Sequence, residues 1–251
     1  MKLPDFLIIG AQKCGTTSLV NNLNKHPEVR MCEFSQGSGS EVHFFDRDIM
    51  YQRGLDWYGS LFEPGFICGE KTPEYMYDSK ALDRIRKDLP KVKLIVCLRD
   101  PARRFISQLN MRNKANKITF EEAIKNPEYV DRGMYYKQLK RVLDRFPKDR
   151  VHIIVLDEIF KEKGSLLERD GVSSTGFKSE DNSNATIKRM DEVFQFIGVS
   201  NVGLNLQYEM MFVNKYDISI SEDQLKTLRG LYEKENERLF NLLGYRVDSW
   251  K

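Results

Sequence analysis

Near the N-terminus, the run LIIGAQKCGTTSL, Leu7 to Leu19, sets two glycines, a lysine and three consecutive hydroxyl side chains in one short stretch. Gly10 and Gly15 keep the spacing of the phosphate-cradling pattern G-x-x-x-x-G-K-[ST]. Position 16 is Thr, however, and the lysine stands earlier, at Lys13. A strand ending at Gly10, a turn through Gly15 and a helix starting near Thr16 would present backbone N–H groups and a positive helix end to an anion. Thr16, Thr17 and Ser18 add hydroxyl donors at the same place. The plainer alternative is a strand–turn–helix whose glycines only make the turn. Lys13 weighs against it, because a lone cation among converging donors is most useful with a ligand present.

A second cluster lies in LIVCLRDPARRFISQ, residues 94–108, where an apolar run ends in Arg99-Asp100-Pro101 and a helix follows with Arg104 and Ser107. An apolar run ending in Asp can resemble the magnesium-holding strand of an ATPase, yet arginines on both sides make a poor setting for a dication. An arginine at a strand end, with a serine further along the next helix, suits a separate phosphate. Two phosphate sites on separate motifs suit a nucleotide phosphorylated at two positions.

These residues need elements to hold them. The runs at 6–10, 93–100 and 151–158 read as buried strands. Residues 17–27, 79–90 (with Ser79 as N-cap), 132–147 and 221–244 carry helical apolar spacing, the last opening at Ser221 and closing at Gly244. Strands separated by helices predict a three-layer α/β fold, a mostly parallel sheet flanked by helices, in one domain over residues 1–251. The polar run 161–186, rich in Ser, Gly, Asn and charge, reads as a surface loop inserted in it, with a substrate-facing lid as the second reading.

Composition narrows the classes. With 251 residues and 41% hydrophobic content the chain can bury a sizeable core. A net charge of +3 amid 31% charged residues does not suggest a nucleic-acid partner. Cys14, Cys32, Cys68 and Cys97 show no metal-ligand spacing and read as reduced, buried thiols. No run reaches transmembrane length, and MKLPDFLIIG lacks the form of a signal peptide, so the expectation is a cytoplasmic protein with no membrane partner.

Taken in order, the motifs resemble those of the sulfotransferases that use 3′-phosphoadenosine 5′-phosphosulfate (PAPS), in particular the carbohydrate type acting on heparan sulfate. GAQKCGTTSL resembles the family's 5′-phosphosulfate loop, which implies nucleotide contacts from Lys13, Cys14, Gly15, Thr16, Thr17 and Ser18. LRDPARRFIS resembles its 3′-phosphate segment and implies Arg99 and Ser107. SEVHFFD, residues 40–46, matches the stretch with the proposed catalytic base, Glu41, and GEKTPEYM, residues 69–76, the segment whose lysine, Lys71, faces the transfer centre. GMYYKQL at 133–139 is similar to the family's G-x-Y helix, and NERLFNLLG at 236–244 to its closing helix. His43 is the alternative base, because cytosolic relatives use histidine; its plain reading is a packed residue beside two phenylalanines. The groups HFFD and YMY could floor a sugar-sized cleft or belong to the core.

The resemblance implies a P-loop NTPase-like fold, PAPS as sulfuryl donor, 3′-phosphoadenosine 5′-phosphate (PAP) as product and no metal requirement. It implies a small-molecule or carbohydrate acceptor, with hydroxyl and amine acceptors both open. In sulfuryl transfer the leaving group is the 5′-phosphate of PAP, and a lysine at the breaking bond neutralises the charge that develops there, which accounts for the displacement of Lys13. Two departures stand out. A Gly/Ser-rich bend precedes Glu41, and the usual third nucleotide loop, K-G-R or K-G-K, is replaced by FVNKYDIS, where Lys215 is the candidate substitute. The rival readings are a P-loop kinase or nucleotidase using ATP and magnesium, and a non-catalytic nucleotide-binding module.

Overall fold

The computed structural model describes residues 1–32, 34, 41–116, 118–159, 179–180, 184–200, 206–210, 218 and 220–250. Lys215, the Gly/Ser bend at 35–40 and most of the 161–186 run lie outside them. The sheet has five parallel strands: β1 (Phe6–Gly10), β2 (Val29–Met31), β3 (Ile67–Lys71), β4 (Lys93–Leu98) and β5 (Val151–Val155), in the order β2-β3-β1-β4-β5. β1 is the middle strand, and Phe6, Leu7, Ile8 and Ile9 are fully buried. A continuous apolar run is what a strand covered on both faces requires.

The connections decide where a ligand can bind. From β1 the chain passes through the helix α1 (Thr16–Leu23) to β2 on one side of the sheet, whereas from β4 it passes through the helix Pro101–Asn116 to β5 on the other. Right-handed crossovers in opposite directions put the two connections on opposite faces. They leave a crevice beyond the carboxyl ends of the neighbouring strands β1 and β4, the place where open α/β sheets take ligands. Both sequence motifs sit at its rim.

Several expected elements differ in extent. β5 stops at Val155 and turns into a short helix, Leu156–Ile159. The reason is Asp157, whose carboxylate accepts the Asp100 N–H at 3.0 Å and the Trp250 indole N–H at 2.7 Å. The helix from Ser79 is capped by Asp78, not Ser79: Asp78 Oδ1 accepts from Lys80 N–H at 2.7 Å. The C-terminal helix Glu222–Leu243 begins in a capping box between Ser221 and Gln224 and ends at Gly244 with φ +82°, as its sequence predicts. β2 and β3 were not foreseen. One is three residues long, and the other reads ICGEK, with a charged pair where an apolar run is expected.

Two buried amides tie the C-terminal half to the motif-bearing helices. Asn22 of α1 bonds both backbone groups of Glu209, each at 2.9 Å. Asn110, on the helix after Arg99, accepts the Ile218 N–H at 2.9 Å and donates to its carbonyl at 3.4 Å.

Candidate active site

The loop between β1 and α1 is shaped by backbone conformation. Lys13 and Gly15 adopt left-handed values, φ +67° and +77°. A Cβ on Gly15 would lie 2.6 Å from Leu156 Cδ1, so this turn needs glycine for space as well as for φ. Gly15 is also the N-cap of α1, where it has no side chain to cap the helix. The positive end of α1 thus lacks the acceptor that a Ser, Thr, Asn or Asp at this position would supply. Thr16 and Ser18 are buried, and Thr17 is half-buried. Lys13 is half-buried as well, and its Nζ rests on Met111 Sδ at 3.6 Å.

Arg99 approaches the same loop from β4. Its Nη1 donates to the Lys13 carbonyl at 3.4 Å, and Ala11 N–H donates to the Cys97 carbonyl at 2.7 Å. Arg99 and Ser107 are both buried. Tyr135 fastens this corner from the helix Tyr135–Leu143. Its hydroxyl donates to the Arg99 carbonyl at 2.9 Å and lies 3.2 Å from Cys14 Sγ. Cys14 is a fully buried thiol, pushed up to about 11 by that burial. It supports the loop from below. Arg104, the other arginine of the second motif, points away into the fold, bonding Gln108 Oε1 at 2.6 Å and the Tyr129 carbonyl.

The third part stands at the end of β3, the strand on the other side of β1. Lys71 is level with Ile8 in the parallel register, and the turn after it packs on β1: Thr72 N–H donates to the Ile8 carbonyl and Met76 N–H to the Ile9 carbonyl. Lys71 Nζ donates to Glu41 Oε1 at 2.9 Å. His43 Nε2 lies 3.4 Å from Glu41 Oε2, and His43 Nδ1 lies 2.8 Å from Asp46 Oδ2. Glu41, His43, Asp46 and Lys71 thus form one cluster beside the phosphate-type loop. Asp46 was not singled out in the sequence, although its i+3 relation to His43 in HFFD was a usable signal.

Electrostatics separates the two candidate bases. Burial works against the His43 imidazolium, but hydrogen bonds to Asp46 and Glu41 outweigh it and raise the imidazole to about 9. Burial works the other way on Glu41, yet His43 and Lys71 outweigh it and hold the carboxyl below its ordinary value. At neutral pH the cluster therefore presents an ionised Glu41 and a protonated His43. Only the former can accept a proton.

Most of the aromatic groups fall to the core: Phe44, Phe45, Tyr75 and Met76 are fully buried, with Phe44 stacked on Tyr58 at 4.3 Å between centroids, whereas Tyr77 is half-buried beneath the Arg132 guanidinium. Among the described residues no cluster of three or more His, Cys, Asp or Glu is arranged to hold a metal ion, and no helix is long and apolar enough to cross a membrane.

A glycine turn at a helix N-terminus, a buried arginine bonded to it and a carboxylate–cation cluster at the same end of a parallel sheet are the features of an α/β domain of the nucleotide-binding type. The chain belongs to the sulfotransferase family: residues 3–169 match its sulfotransferase domain. It is 32% identical over 179 residues to heparan sulfate glucosamine 3-O-sulfotransferase 5 of Mus musculus, covering 64% of this chain and 50% of that protein. Against heparan sulfate glucosamine 3-O-sulfotransferase 3B1 of Homo sapiens it is 37% identical over 183 residues, 67% of this chain and 45% of the relative. The chain spans about half the length of these curated relatives. A sulfotransferase from Alicyclobacillus acidocaldarius shares the fold at TM-score 0.70 and 23% identity, covering 100% of this chain and 99% of that one. The sulfotransferase domain of the Synechococcus PCC 7002 olefin synthase does so at 0.52 and 14%, over 98% and 96%.

Proposed function

We propose that this chain transfers a sulfuryl group from PAPS to an acceptor hydroxyl, with a carbohydrate as the favoured acceptor class and an amine as the alternative. The observation that carries the reading is the Glu41–Lys71 pair at the end of β3, next to a loop built to receive an anion. The donor set fits PAPS: an uncapped helix end with Lys13 for the 5′ side, and a separate buried Arg99 with Ser107 for the 3′-phosphate. PAPS supplies a sulfuryl group whose bond to the 5′-phosphate oxygen breaks as the acceptor oxygen attacks in line.

In this reading Lys13 and the N–H groups of the loop bind the 5′-phosphosulfate and neutralise charge at the breaking bond. Arg99 recognises the 3′-phosphate, with Ser107 as a hydroxyl donor, and Lys71 supports the sulfuryl oxygens. Glu41 takes the acceptor proton, help that contributes roughly 10²–10⁴-fold in rate. His43 and Asp46 orient Glu41. The reading asks nothing of a metal ion. Relatives named for 3-O-sulfation of heparan sulfate glucosamine support a sugar hydroxyl, and four buried free thiols support a reducing, cytoplasmic setting.

The test is ligand stabilisation followed by an acceptor screen. At a hundredfold excess over Kd, PAP should stabilise the fold by about 2.7 kcal/mol, and ATP with magnesium by much less. Sulfate-labelled PAPS then reports which carbohydrate, alcohol or amine receives label. Equal stabilisation by ATP and magnesium would favour the kinase or nucleotidase reading instead.

A further inference from the structure

Glu70 immediately precedes Lys71 in β3, so its side chain leaves the opposite face of the strand. It is fully buried, and among the described residues its carboxylate pairs with no cation and is held by three hydroxyls. Oε1 accepts from the Tyr58 hydroxyl at 2.9 Å and the Tyr75 hydroxyl at 2.7 Å, and Oε2 from the Thr72 hydroxyl at 2.9 Å. Two of these three donors are acceptors in turn. Thr72 Oγ1 receives the backbone N–H of His43 at 3.2 Å, and the Tyr75 hydroxyl receives that of Phe44 at 2.9 Å.

The chain of bonds has a direction. A hydroxyl carries one proton and two lone pairs. With its proton committed to an ionised Glu70, each hydroxyl has only lone pairs left to offer the backbone. Two consecutive N–H groups are thereby fixed, at the residue bearing the imidazole. His43 needs such a hold, because its φ of +55° is left-handed, uncommon for a residue other than glycine.

We propose that Glu70 is a positioning residue for the transfer reaction: through Thr72 and Tyr75 it holds the His43–Phe44 backbone so that His43 and Glu41 meet beside Lys71. The inference rests on the reading of Glu41 as the base.

Burial raises the Glu70 carboxyl to about 7, with hydrogen bonds from Tyr75, Thr72 and Tyr58 pulling it back and the charge of Asp46 adding to the rise. Burial also pushes the Tyr58 and Tyr75 phenols well above their ordinary range, so both keep their protons while Glu70 titrates. Once protonated, Glu70 must itself donate to one of the hydroxyls and compete with a backbone N–H.

The experiment compares Glu70→Gln, Thr72→Val and Thr72→Ser in the full chain. Readouts are kcat with labelled PAPS, PAP affinity by calorimetry, and the titration of His43 by NMR, where three histidines make assignment simple. Glu70→Gln and Thr72→Val should lower kcat by about 10²-fold, leave PAP affinity within about twofold, and move the His43 titration from about 9 toward the ordinary 6.5. Thr72→Ser, which keeps the hydroxyl, should retain wild-type kcat and the high titration. An unmoved His43 titration in both impaired variants overturns the proposal, as does parallel loss of kcat and PAP binding. Should Glu70→Gln fail to fold, the Thr72 pair decides alone. Failure of the base assignment shows up separately: Glu41→Gln would keep its kcat while His43 still responded to Glu70→Gln.

Discussion

Arg99 and Lys13, 86 residues apart in the chain, meet at the β1–β4 crevice, where the guanidinium donates to the lysine's carbonyl at 3.4 Å. The arginine assigned to one phosphate thus braces the loop assigned to the other. Replacing it with alanine removes both functions, and nucleotide preference tells them apart. Arg99→Ala should weaken PAP by about 10–100-fold more than it weakens AMP, the worth of a charge-assisted hydrogen bond to the 3′-phosphate, and the smaller loss common to both nucleotides reports the brace on the loop. Calorimetry with both nucleotides is the measurement. An equal loss for AMP would mean that Arg99 serves the loop alone.

The Glu41 cluster predicts an order among variants. Glu41→Gln keeps shape and hydrogen bonding but cannot take a proton, so kcat should fall by about 10²-fold or more with PAP affinity unchanged. His43→Asn should cost less, because a protonated imidazole orients the carboxylate without accepting a proton. The reverse ranking, an active Glu41→Gln beside an inactive His43→Asn, would return the role of base to histidine.

Activity should trace a bell against pH. His43 faces Glu41 and Asp46 on one side and Arg47 on the other, and loses its proton near 9, so kcat/KM should decline through that value as Glu41 loses its orienting cation. Were His43 the base, kcat/KM would rise there. The acid limb should lie near 7, where Glu70 gains a proton among Tyr58, Thr72, Tyr75 and Asp46, because Glu41 itself titrates below its ordinary 4.5.

Stability follows the same groups. His43 has a folded value above its unfolded 6.5, so its contribution is complete below 6.5 and disappears as pH rises through about 9. Denaturant midpoints from pH 6 to 9.5 should fall more steeply in wild type than in His43→Asn.

Gly15 offers a test of loop geometry. Alanine there meets Leu156 at 2.6 Å and must hold a φ of +77°, so Gly15→Ala should destabilise by about 1–3 kcal/mol and weaken PAP binding. Trimming the obstruction, Leu156→Ala in the same chain, should leave the backbone cost in place and relieve only the clash. Full recovery in the double variant would show that φ was never the constraint.

Where the two motifs sit in the fold was legible because their signals are local. Glycine spacing marked the turn between β1 and α1, and an arginine closing an apolar run marked the end of β4. The carboxylate network at β3 escaped notice for a physical reason. Nothing local to GEKTPEYM marks Glu70, because only the tertiary fold brings Tyr58 from 12 residues upstream and buries the carboxylate under three hydroxyls. β2 and β3 were missed on the same ground, being too short or too polar for a periodicity signal. Asp157 ended β5 early through partners at positions 100 and 250, a relationship no window on the sequence contains.

The strand order β2-β3-β1-β4-β5 also sets a timetable for biosynthesis. Of these five strands the middle one leaves the ribosome first, but the next one made is an edge strand that cannot touch it. Residues 29–31 wait until β3 has emerged and slotted between them and β1. The nascent chain therefore carries the loop between β1 and α1 well before the wall that bears Lys71 exists, and the opposite wall, with Arg99, comes later still. Contacts this far apart in sequence form slowly, so the β1–β4 crevice is assembled outward from its own floor, one flank at a time.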